Sequence, residues 1–415
     1  MDTSNISDVN AFLVLDAIRH ADGVTRVEIG QGLGLSEASV SRIVRRLIAD
    51  GSVEELPGSA GDPGRTPTVL RFAPRRGAVI SVDLGGTKCH GAVADLAGEI
   101  LHEDLRPTGG ASQALETVIG CIEALRALAM KEDVPVRCVV IGIAALIDPD
   151  TGLAAAGPNV GWNGFDLLRM LQERLAEPVE VDNDVNLAAL GQAWRGEGVG
   201  VRSFVTISMG TGIGGAVVID GRLIRGRHNA AGEIGNFLFG RNQLRDEFFE
   251  EPGFERLASG QAIRARALEL LRTEASSMLS SLNFDTADVF SAALAGDIVG
   301  KQVIEELRDY VAMAITNVTA LIDPDLVILD GSVGRALDPW LDEIKTLVSD
   351  HVFKSPQVVV SRLGPNGTVM GAVARGLALV SEMDASSTVA ELASSVSPFA
   401  QAIRSGGHEL KHGRR

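Results

Sequence analysis

Apolar residues in the first fifty positions recur three and four residues apart, which is the spacing of short amphipathic helices. The first group of this kind is Ala11, Val14, Leu15 and Ile18, and the second is Val40, Ile43, Val44 and Leu47. Between the groups, Thr25 followed by Glu28 matches a capping box, and Ser36 can cap the helix that carries the second group. The segment is therefore predicted to form three helices, the last two joined by a turn at Gly34.

The third predicted helix has a polar and basic outer face. That face carries Glu37, Ser39, Arg42, Arg45 and Arg46. Beyond this helix, residues 52–55 and 68–72 can pair as a hairpin whose tip would contain Arg65. Helices joined by a glycine-containing turn and followed by a hairpin are typical of a winged helix-turn-helix that binds DNA. A small helical interaction module with a solvated basic face is the alternative.

If the segment binds DNA, the third helix would use its two halves differently. We expect Glu37, Ser39 and Arg42 to meet base edges. Arg45, Arg46 and Arg65 would meet phosphates. Residues 42–76 hold seven Arg and four acidic residues, whereas the whole chain of 415 residues has a net charge of −16. Like-charge repulsion should therefore confine DNA to this face.

From residue 77 onward, short apolar runs alternate with helical periodicity, a pattern that indicates an α/β fold. Strands are predicted at residues 78–83, 91–96, 137–144, 179–181, 203–208, 216–219 and 326–329, with a helix over 114–130. Before them, residues 73–77 resemble a linker, which places a domain boundary near residue 76. The Ser/Ala-rich stretch from residue 384 to the C-terminus is predicted to be a tail.

Several protein classes are excluded by composition and spacing. The longest nearly unbroken apolar stretch, residues 138–147, has ten residues, which is too short to span a membrane. No basic segment precedes an apolar run at the N-terminus, so no signal peptide is expected. The three cysteines have no C-x-x-C spacing, which argues against a disulfide framework or a cysteine zinc site. We therefore expect a cytoplasmic protein with no membrane partner.

Two glycine-rich turns could bind phosphate groups. Residues 83–88 (Asp-Leu-Gly-Gly-Thr-Lys) follow a predicted strand, and residues 209–215 (Met-Gly-Thr-Gly-Ile-Gly-Gly) lie between two strands. Glycine allows backbone N–H groups to approach phosphate oxygens, and Thr87 and Thr211 add hydroxyl donors. Asp83 could hold Mg²⁺ through water. Neither turn matches the P-loop pattern, and a tight hairpin without a nucleotide explains each of them equally well.

Between these turns, residues 182–186 (Asp-Asn-Asp-Val-Asn) follow a strand. Side chains at the carboxyl end of a strand lie where α/β sheets bind ligands. Asp184 could act as a general base that takes a proton from a sugar hydroxyl during phosphoryl transfer. Alternatively, Asp182 or Asp184 caps the helix that starts near Val185, and the local sequence alone favours this interpretation.

The order of these motifs resembles that of the ROK family (repressors, open reading frames and sugar kinases), over about residues 8–382. The repressor branch has an N-terminal winged helix, which residues 35–46 and the wing at 64–67 resemble. The resemblance implies an α/β fold, namely an actin-like ATPase (sugar-kinase) fold of two lobes preceded by an α+β winged helix-turn-helix domain. The similar segments of the body are 83–88, 158–162, 182–184, 209–215, 231–235, 255–260 and 321–331.

The resemblance assigns roles to individual residues. It implies that Asp184 is the catalytic base of a kinase and that the sugar is bound by Asn159, Asn183, Asp184, Glu233 and Glu255. It implies that ATP with Mg²⁺ is bound by Asp83, Gly85, Gly86, Thr87, Lys88, Gly210, Thr211, Gly212, Gly214 and Gly331. The family's zinc site is lacking, because Asn236 stands at the histidine position and no cysteine follows between residues 237 and 254. No zinc is expected, and packing by Phe237, Phe239, Phe248 and Phe249 would have to position the sugar loop.

Three functions remain open from the sequence. The first, which we favour, is a sugar-responsive transcriptional repressor of carbohydrate genes, forming a homodimer or homotetramer that binds an inverted repeat in double-stranded operator DNA. Its ligand would be a small sugar or sugar phosphate. The second is an ATP-dependent hexose kinase, and the third is a nucleotide-binding scaffold without sugar specificity. The expected domains are the winged helix with its linker (1–76), a first lobe (77–187, completed by 365–383), a second lobe (188–364) and the tail (384–415).

Overall fold

The computed structural model describes residues 3–19, 21, 23–57, 68–110, 112–148, 153–155, 166–245, 253–274, 276–281 and 283–384. Its N-terminal part contains three helices and an antiparallel hairpin: α1 (Thr3–Arg19), α2 (Arg26–Leu33), α3 (Glu37–Ala49), β1 (Val53–Pro57) and β2 (Thr68–Phe72). Thr25 and Glu28 form the predicted capping box, and Ser36 caps α3. The two predicted apolar groups share one core with Ile29 and Leu70. The helices and the hairpin are therefore confirmed.

The next part of the chain forms a five-stranded sheet with the strand order β5-β4-β3-β6-β9. Its strands are β3 (Ala78–Leu84), β4 (Lys88–Asp95), β5 (Ile100–Pro107), β6 (Val136–Ile143) and β9 (Val179–Asn183). The other elements of this part are α4 (Ala114–Lys131), the short strands β7 (Leu146–Ile147) and β8 (Ala154–Ala155), and α5 (Leu167–Gln172). The buried side of α4 packs on β3 and β4, which closes one face of the sheet.

A second five-stranded sheet follows, with the order β12-β11-β10-β13-β14. Its strands are β10 (Phe204–Met209), β11 (Ile213–Ile219), β12 (Arg222–Ile224), β13 (Leu326–Asp330) and β14 (Gln357–Val360). The accompanying helices are α7 (Glu255–Ala258), α8 (Gly260–Leu270), α9 (Thr286–Leu294), α10 (Ile298–Ile322), α11 (Gly331–Ala336) and α12 (Leu341–Ser349). Short 3₁₀ turns at Ile234–Asn236 and Arg241–Arg245 lie between β12 and α7.

The two sheets repeat one topology. In each, the first strand pairs antiparallel with the second and the second with the third, while the fourth strand pairs parallel with the first and the fifth parallel with the fourth. Parallel strands need a crossover connection, and helices of the described chain provide it in both sheets. The body therefore consists of two α/β lobes of the same design, as the actin-like fold requires.

Two helices, α6 (Asp184–Arg195) and α13 (Gly367–Asp384), cross between the sheets at very close range. A Cβ atom added to Gly371 would lie 1.6 Å from the Leu187 oxygen, and one added to Gly191 would lie 2.5 Å from the Gly367 oxygen. Only glycine permits such an approach of two backbones. The predicted division between residues 187 and 188 falls inside α6.

Three strands of the two sheets, β5, β12 and β14, were not predicted from the sequence, and the starts of two others were misplaced. β4 begins at Lys88 and β11 at Ile213, each three residues earlier than predicted. In β11 the reason is that Gly214 and Gly215 belong to the strand, although glycine usually signals a turn. Neighbouring segments pack so closely on these positions that side chains are excluded. None of the described helices combines the length and the apolar character needed to cross a lipid bilayer.

Candidate functional site

Four carboxyl groups converge in the cleft between the lobes. Asp83 lies near the end of β3, Asp184 starts α6, Glu233 precedes a 3₁₀ turn and Glu255 starts α7. Burial raises the pKa of Asp83 to about 8, and the charge of Asp184 adds to this shift. Burial also raises the pKa of Asp184 to about 6. Burial is the main cause of both shifts, and no basic side chain is among the groups that offset them.

The two glutamates belong to the same group. Burial raises the pKa of Glu233, and the charges of Asp184 and Glu255 raise it further. Burial likewise raises the pKa of Glu255, although the Ile213 N–H opposes the shift by donating to Glu255 Oε2 at 2.7 Å. Glu255 thus touches the strand that leaves the second glycine turn. The resemblance assigned Asp184, Glu233 and Glu255 to the sugar and Asp83 to ATP with Mg²⁺, and in the structure Asp184 lies close enough to affect both Asp83 and Glu233.

The helix cap beside the site is Asn183. Its Oδ1 accepts from the backbone N–H groups of Val185 (3.0 Å) and Asn186 (3.1 Å), and its Nδ2 donates to the Ala145 oxygen at 3.3 Å. The sequence analysis had offered Asp182 or Asp184 as the cap, and this was wrong. The helix starts one residue earlier than expected, so the cap moves to Asn183.

Asp182 does not cap α6 but forms an ion pair with Arg225. Its two carboxylate oxygens accept from Arg225 Nη1 and Nη2 at 2.8 and 2.6 Å. The Asp182 side chain is only 7% exposed, whereas that of Arg225 is 37% exposed, so the carboxylate end of this bidentate pair is the shielded one. Since Asp182 lies in the first lobe and Arg225 follows β12 of the second, the pair joins the two lobes at the edge of the cleft.

The first glycine turn is a tight connection between β3 and β4. The Gly85 N–H donates to the Lys88 oxygen at 2.9 Å. Thr108 Oγ1 donates to the Gly85 oxygen at 2.7 Å, and the Thr108 N–H donates to the Thr87 oxygen. Gly86, Thr87 and Lys88 remain exposed. Thr108, which is buried and holds the turn in place, was missed because nothing in its own sequence context signals this contact.

Glycines in and beside the second glycine turn differ in whether the structure has space for a Cβ atom. Gly210 is open, since an added Cβ would find only Ser332 Oγ, at 3.8 Å. Gly214 is closed, since its Cβ would lie 2.8 Å from Val185 Cγ2. Gly331 has a φ of +77°, and a Cβ there would lie 2.2 Å from the Met209 oxygen. Packing therefore accounts for Gly214 and Gly331, whereas Gly210 leaves room for a ligand.

Next to the second glycine turn, Thr211 is exposed and Gly212 is half-buried. The Gly210 N–H donates to the Gly212 oxygen at 2.9 Å, and the Gly260 N–H donates to the Gly210 oxygen at 2.8 Å. The turn is thereby fixed to the start of α8. Asn159 and Arg65, two further predicted site residues, lie outside the described residues.

A glutamine and an aromatic cluster hold the segment that carries the sugar-loop glutamates. Gln243 Oε1 accepts from the N–H groups of Phe239 (2.6 Å) and Gly240 (3.0 Å), and its Nε2 donates to the Gly253 oxygen at 3.0 Å. The Phe239 ring contacts those of Phe237, Phe254 and Tyr310.

Phe237 and Phe239 were expected to pack there, whereas Phe248 and Phe249 lie outside the described residues. Gln243 was missed, because its bridging role depends on a chain reversal that the sequence does not show. Within the described part of the chain, no cluster of three His, Cys, Asp or Glu side chains is arranged to hold a metal ion.

The candidate DNA interface is the outer face of α3. Glu37, Arg42, Arg45 and Arg46 are exposed, and Ser39 is half-buried. Val40, Ile43, Val44 and Leu47 are buried on the opposite face. Arg46 also lines a cavity of about 460 Å³ between the three-helix segment and the body. The helix thus presents a basic surface to solvent, as the sequence predicts.

A winged helix joined to two lobes with an acidic cleft defines a DNA-binding regulator built on a sugar-kinase fold. The ROK family model matches residues 79–381, so the chain belongs to the ROK family. A MarR family model matches residues 4–62, in the winged helix.

Relatives with and without the winged helix resemble the chain. The xylose repressor of Bacillus subtilis is 26% identical over 376 residues, covering 89% of this chain and 95% of the repressor. A ROK family transcriptional regulator homologous to the Escherichia coli MLC protein has a TM-score of 0.77 at 23% identity, covering 93% of this chain and 100% of its own. A ROK glucokinase of Streptomyces griseus, solved with glucose and AMPPNP, has a TM-score of 0.63 at 27% identity, covering 72% and 98%.

Proposed function

We propose that the chain is a carbohydrate-responsive transcriptional repressor. The observation that carries the proposal is the covalent union of an exposed basic α3 with a cleft where Asp83, Asp184, Glu233 and Glu255 converge. A repressor needs both a DNA-reading surface and a ligand site. The full-length similarity to a xylose repressor supports the combination.

The cleft chemistry suits a small sugar or sugar phosphate. Carboxylates accept hydrogen bonds from sugar hydroxyls, and hydrogen bonds to charged groups contribute about 1.5–3 kcal/mol each. We infer that Asp184, Glu233 and Glu255 contact these hydroxyls, with Asn159 and Asn183 beside them. Binding would give the crowded acids hydroxyl donors in addition to the backbone N–H groups that already reach Asp184 and Glu255.

DNA recognition would follow the division of α3 stated above. Glu37, Ser39 and Arg42 would read bases, and Arg45, Arg46 and Arg65 would bind phosphates. We further infer a homodimer or homotetramer on an inverted repeat. The domain limits 1–76, 77–187 completed by 365–383, and 188–364 followed by the tail stay predictions, although the division at 187 falls inside α6.

A kinase is the second candidate, and two observations favour it. The pKa of Asp184, about 6, lies close to the value that suits a general base near neutral pH. Gly210 and the exposed turn at Gly86, Thr87 and Lys88 leave room for phosphate groups, so the residues present fit ATP with Mg²⁺.

The remaining nucleotide contacts would come from Asp83, Gly85, Thr211 and Gly212. ATP would supply the phosphoryl group, whereas Asp184 would hold the proton of the attacking sugar hydroxyl. A coupled ATPase assay with D-glucose and D-xylose tests this candidate. Turnover equal to that of Asp184→Asn would exclude it.

The repressor proposal is tested by fluorescence anisotropy with DNA from upstream of the chain's own gene. Arg42→Ala should weaken binding about 5- to 150-fold, which corresponds to one lost base contact of about 1–3 kcal/mol. Wild-type affinity should also fall steeply with salt, because phosphate contacts release counterions. Arg202→Ala, on an exposed part of the second lobe, is the control. Equal affinity of Arg42→Ala and wild type would contradict the placement of α3 on DNA.

A further inference from the structure

Helix α13 reaches from the ligand cleft to the DNA-binding domain. At its first turn, Thr368 Oγ1 donates to the Asp184 backbone oxygen at 3.3 Å. At its last turn, Arg19 of α1 donates to Ser381 Oγ at 3.1 Å. An 18-residue helix is about 27 Å long. One rigid element therefore touches both the site residue and the winged helix.

The middle of α13 is tied to the strand that carries the site residues. Arg375 Nε and Nη2 donate to the two carboxylate oxygens of Glu180 at 2.7 and 2.8 Å. Glu180 lies on β9, which ends at Asp182 and Asn183 directly before Asp184. Both side chains of the pair are largely buried, with exposures of 21% and 28%. A bidentate, shielded pair fixes relative position more strictly than a surface ion pair does.

The same guanidinium also faces the far end of the helix. Arg375 Nη1 donates to Glu382 Oε1 at 3.0 Å, two residues before the end of α13. There, Asp384 accepts from Arg76 at 2.5 Å and from Arg137 at 2.6 Å. Arg76 belongs to the linker that follows the winged helix. One group of ion pairs therefore runs from β9 through Arg375 to Glu382, a second joins Asp384 to the linker, and the last turn of α13 connects the two groups.

The junction between the winged helix and the body is not a close-packed core. The cavity of about 460 Å³ there is lined by charged side chains of both parts, among them Asp16, Arg46, Arg76 and Asp384. Phe72 packs at once against the winged-helix core and against the apolar cluster under α13. A junction with ion pairs and a cavity resists a change of arrangement less than a close-packed core does.

We propose that Arg375 is a positioning residue that couples sugar binding in the cleft to the placement of the DNA-binding domain. A ligand that shifts β9 and the start of α6 moves Glu180. The bidentate pair passes this movement to α13, whose last turn sets the linker and α1. This inference rests on the proposed repressor function.

The test measures coupling separately from binding. The full chain, as wild type and as Arg375→Gln, is titrated with DNA from upstream of its own gene, with and without D-xylose and D-glucose. Sugar affinity without DNA is measured by calorimetry. We expect sugar to change wild-type DNA affinity about 5- to 150-fold. In Arg375→Gln the change should fall to less than about twofold, while each separate affinity stays within about threefold of wild type.

Arg266→Gln is the matched control. Arg266 also makes a bidentate pair with a glutamate of another helix, Glu306, and a further bond to Glu269 on its own helix. It lies on α8, and its pairs connect α8 only to itself and to α10. This variant loses the same type of ion pair and should keep wild-type coupling. Glu382→Gln, which leaves β9 untouched, should reduce coupling in part and serves if Arg375→Gln does not fold.

The outcomes separate the two claims. If wild type responds to sugar and both Arg375→Gln and Glu382→Gln respond equally well, the coupling role is wrong and the repressor function stands. If Arg266→Gln loses coupling as well, the effect reflects general destabilisation and the coupling role is wrong. If neither sugar changes wild-type DNA affinity, the repressor function fails and the coupling role fails with it.

Discussion

The acids of the cleft and the acids of β9 differ in whether a basic side chain neutralises them. In the cleft, Asp83 and Asp184 lie close together, and burial raises the pKa of both. Only a few residues away, Asp182 and Glu180 each receive two hydrogen bonds from one arginine. Unfavourable charge is therefore concentrated in the cleft, where a ligand can relieve it. The neighbouring strand β9 is held instead by acids that are paired with arginine.

The largest expected effect on the free energy of unfolding is that of breaking the pair of Asp182 with Arg225. Asp182→Asn removes a shielded carboxylate and leaves the Arg225 guanidinium without its bidentate partner. Breaking one half of a buried ion pair costs about 3–5 kcal/mol, and the lower end of this range is expected here because the Arg225 side chain is 37% exposed. Urea unfolding at pH 7 should show this loss in the free energy of unfolding. A variant as stable as wild type would contradict the structural role of the pair.

Neutralising a cleft acid should raise the free energy of unfolding, whereas Asp182→Asn should lower it. Asp83 has a raised pKa in the folded chain, about 8 against an ordinary 3.8, so the folded chain binds this proton more tightly than the unfolded chain. Its contribution to stability is therefore present below about pH 4 and is lost as the pH rises to about 8. Asp83→Asn should stabilise the protein by about 2 kcal/mol at pH 8.

The pH dependence provides the control for this prediction. At pH 5, where Asp83 is protonated in the folded chain, the gain should be smaller than at pH 8. Urea unfolding at both pH values measures the difference. A gain that is the same at both, or a loss at pH 8, would show that the cleft acids do not repel one another as described.

The smallest effect is expected for a pair in neither region. Arg202 and Asp220 pair on the surface of the second lobe, where their side chains are 61% and 64% exposed. Exposed pairs contribute about 0–1 kcal/mol. Arg202→Gln should thus change the free energy of unfolding by less than about 0.5 kcal/mol. A loss as large as that of Asp182→Asn would mean that pairing alone, irrespective of burial, determines stability.

Structural features that depend on residues close together in the sequence were predicted correctly. The capping box of Thr25 and Glu28 and the apolar face of α3 depend on residues three and four apart, and both are confirmed. The α/β class follows in the same way from apolar runs. The repeated topology of the two sheets and the convergence of Asp184 with Glu233 came only through family resemblance, because distant segments must meet.

Tertiary contacts decided the points that the sequence missed. Gly214 and Gly331 looked like phosphate contacts, yet close neighbours already exclude side chains there. Thr108, Gln243 and Arg375 each gain their role from a partner beyond the reach of a local pattern, at 23, 10 and 195 residues along the chain. No spacing rule reveals such partners, because a polar residue that has a tertiary partner and one that only faces solvent have the same kind of sequence around them.

The central claim is that cleft and α3 belong to one ligand-controlled DNA-binding protein. The direct measurement is the affinity of the full chain for DNA upstream of its gene, titrated with D-xylose or D-glucose. The account predicts that at least one sugar changes this affinity by about fivefold or more and that Glu233→Gln abolishes the change. DNA affinity that is identical with and without either sugar, or a response that survives in Glu233→Gln, would contradict it.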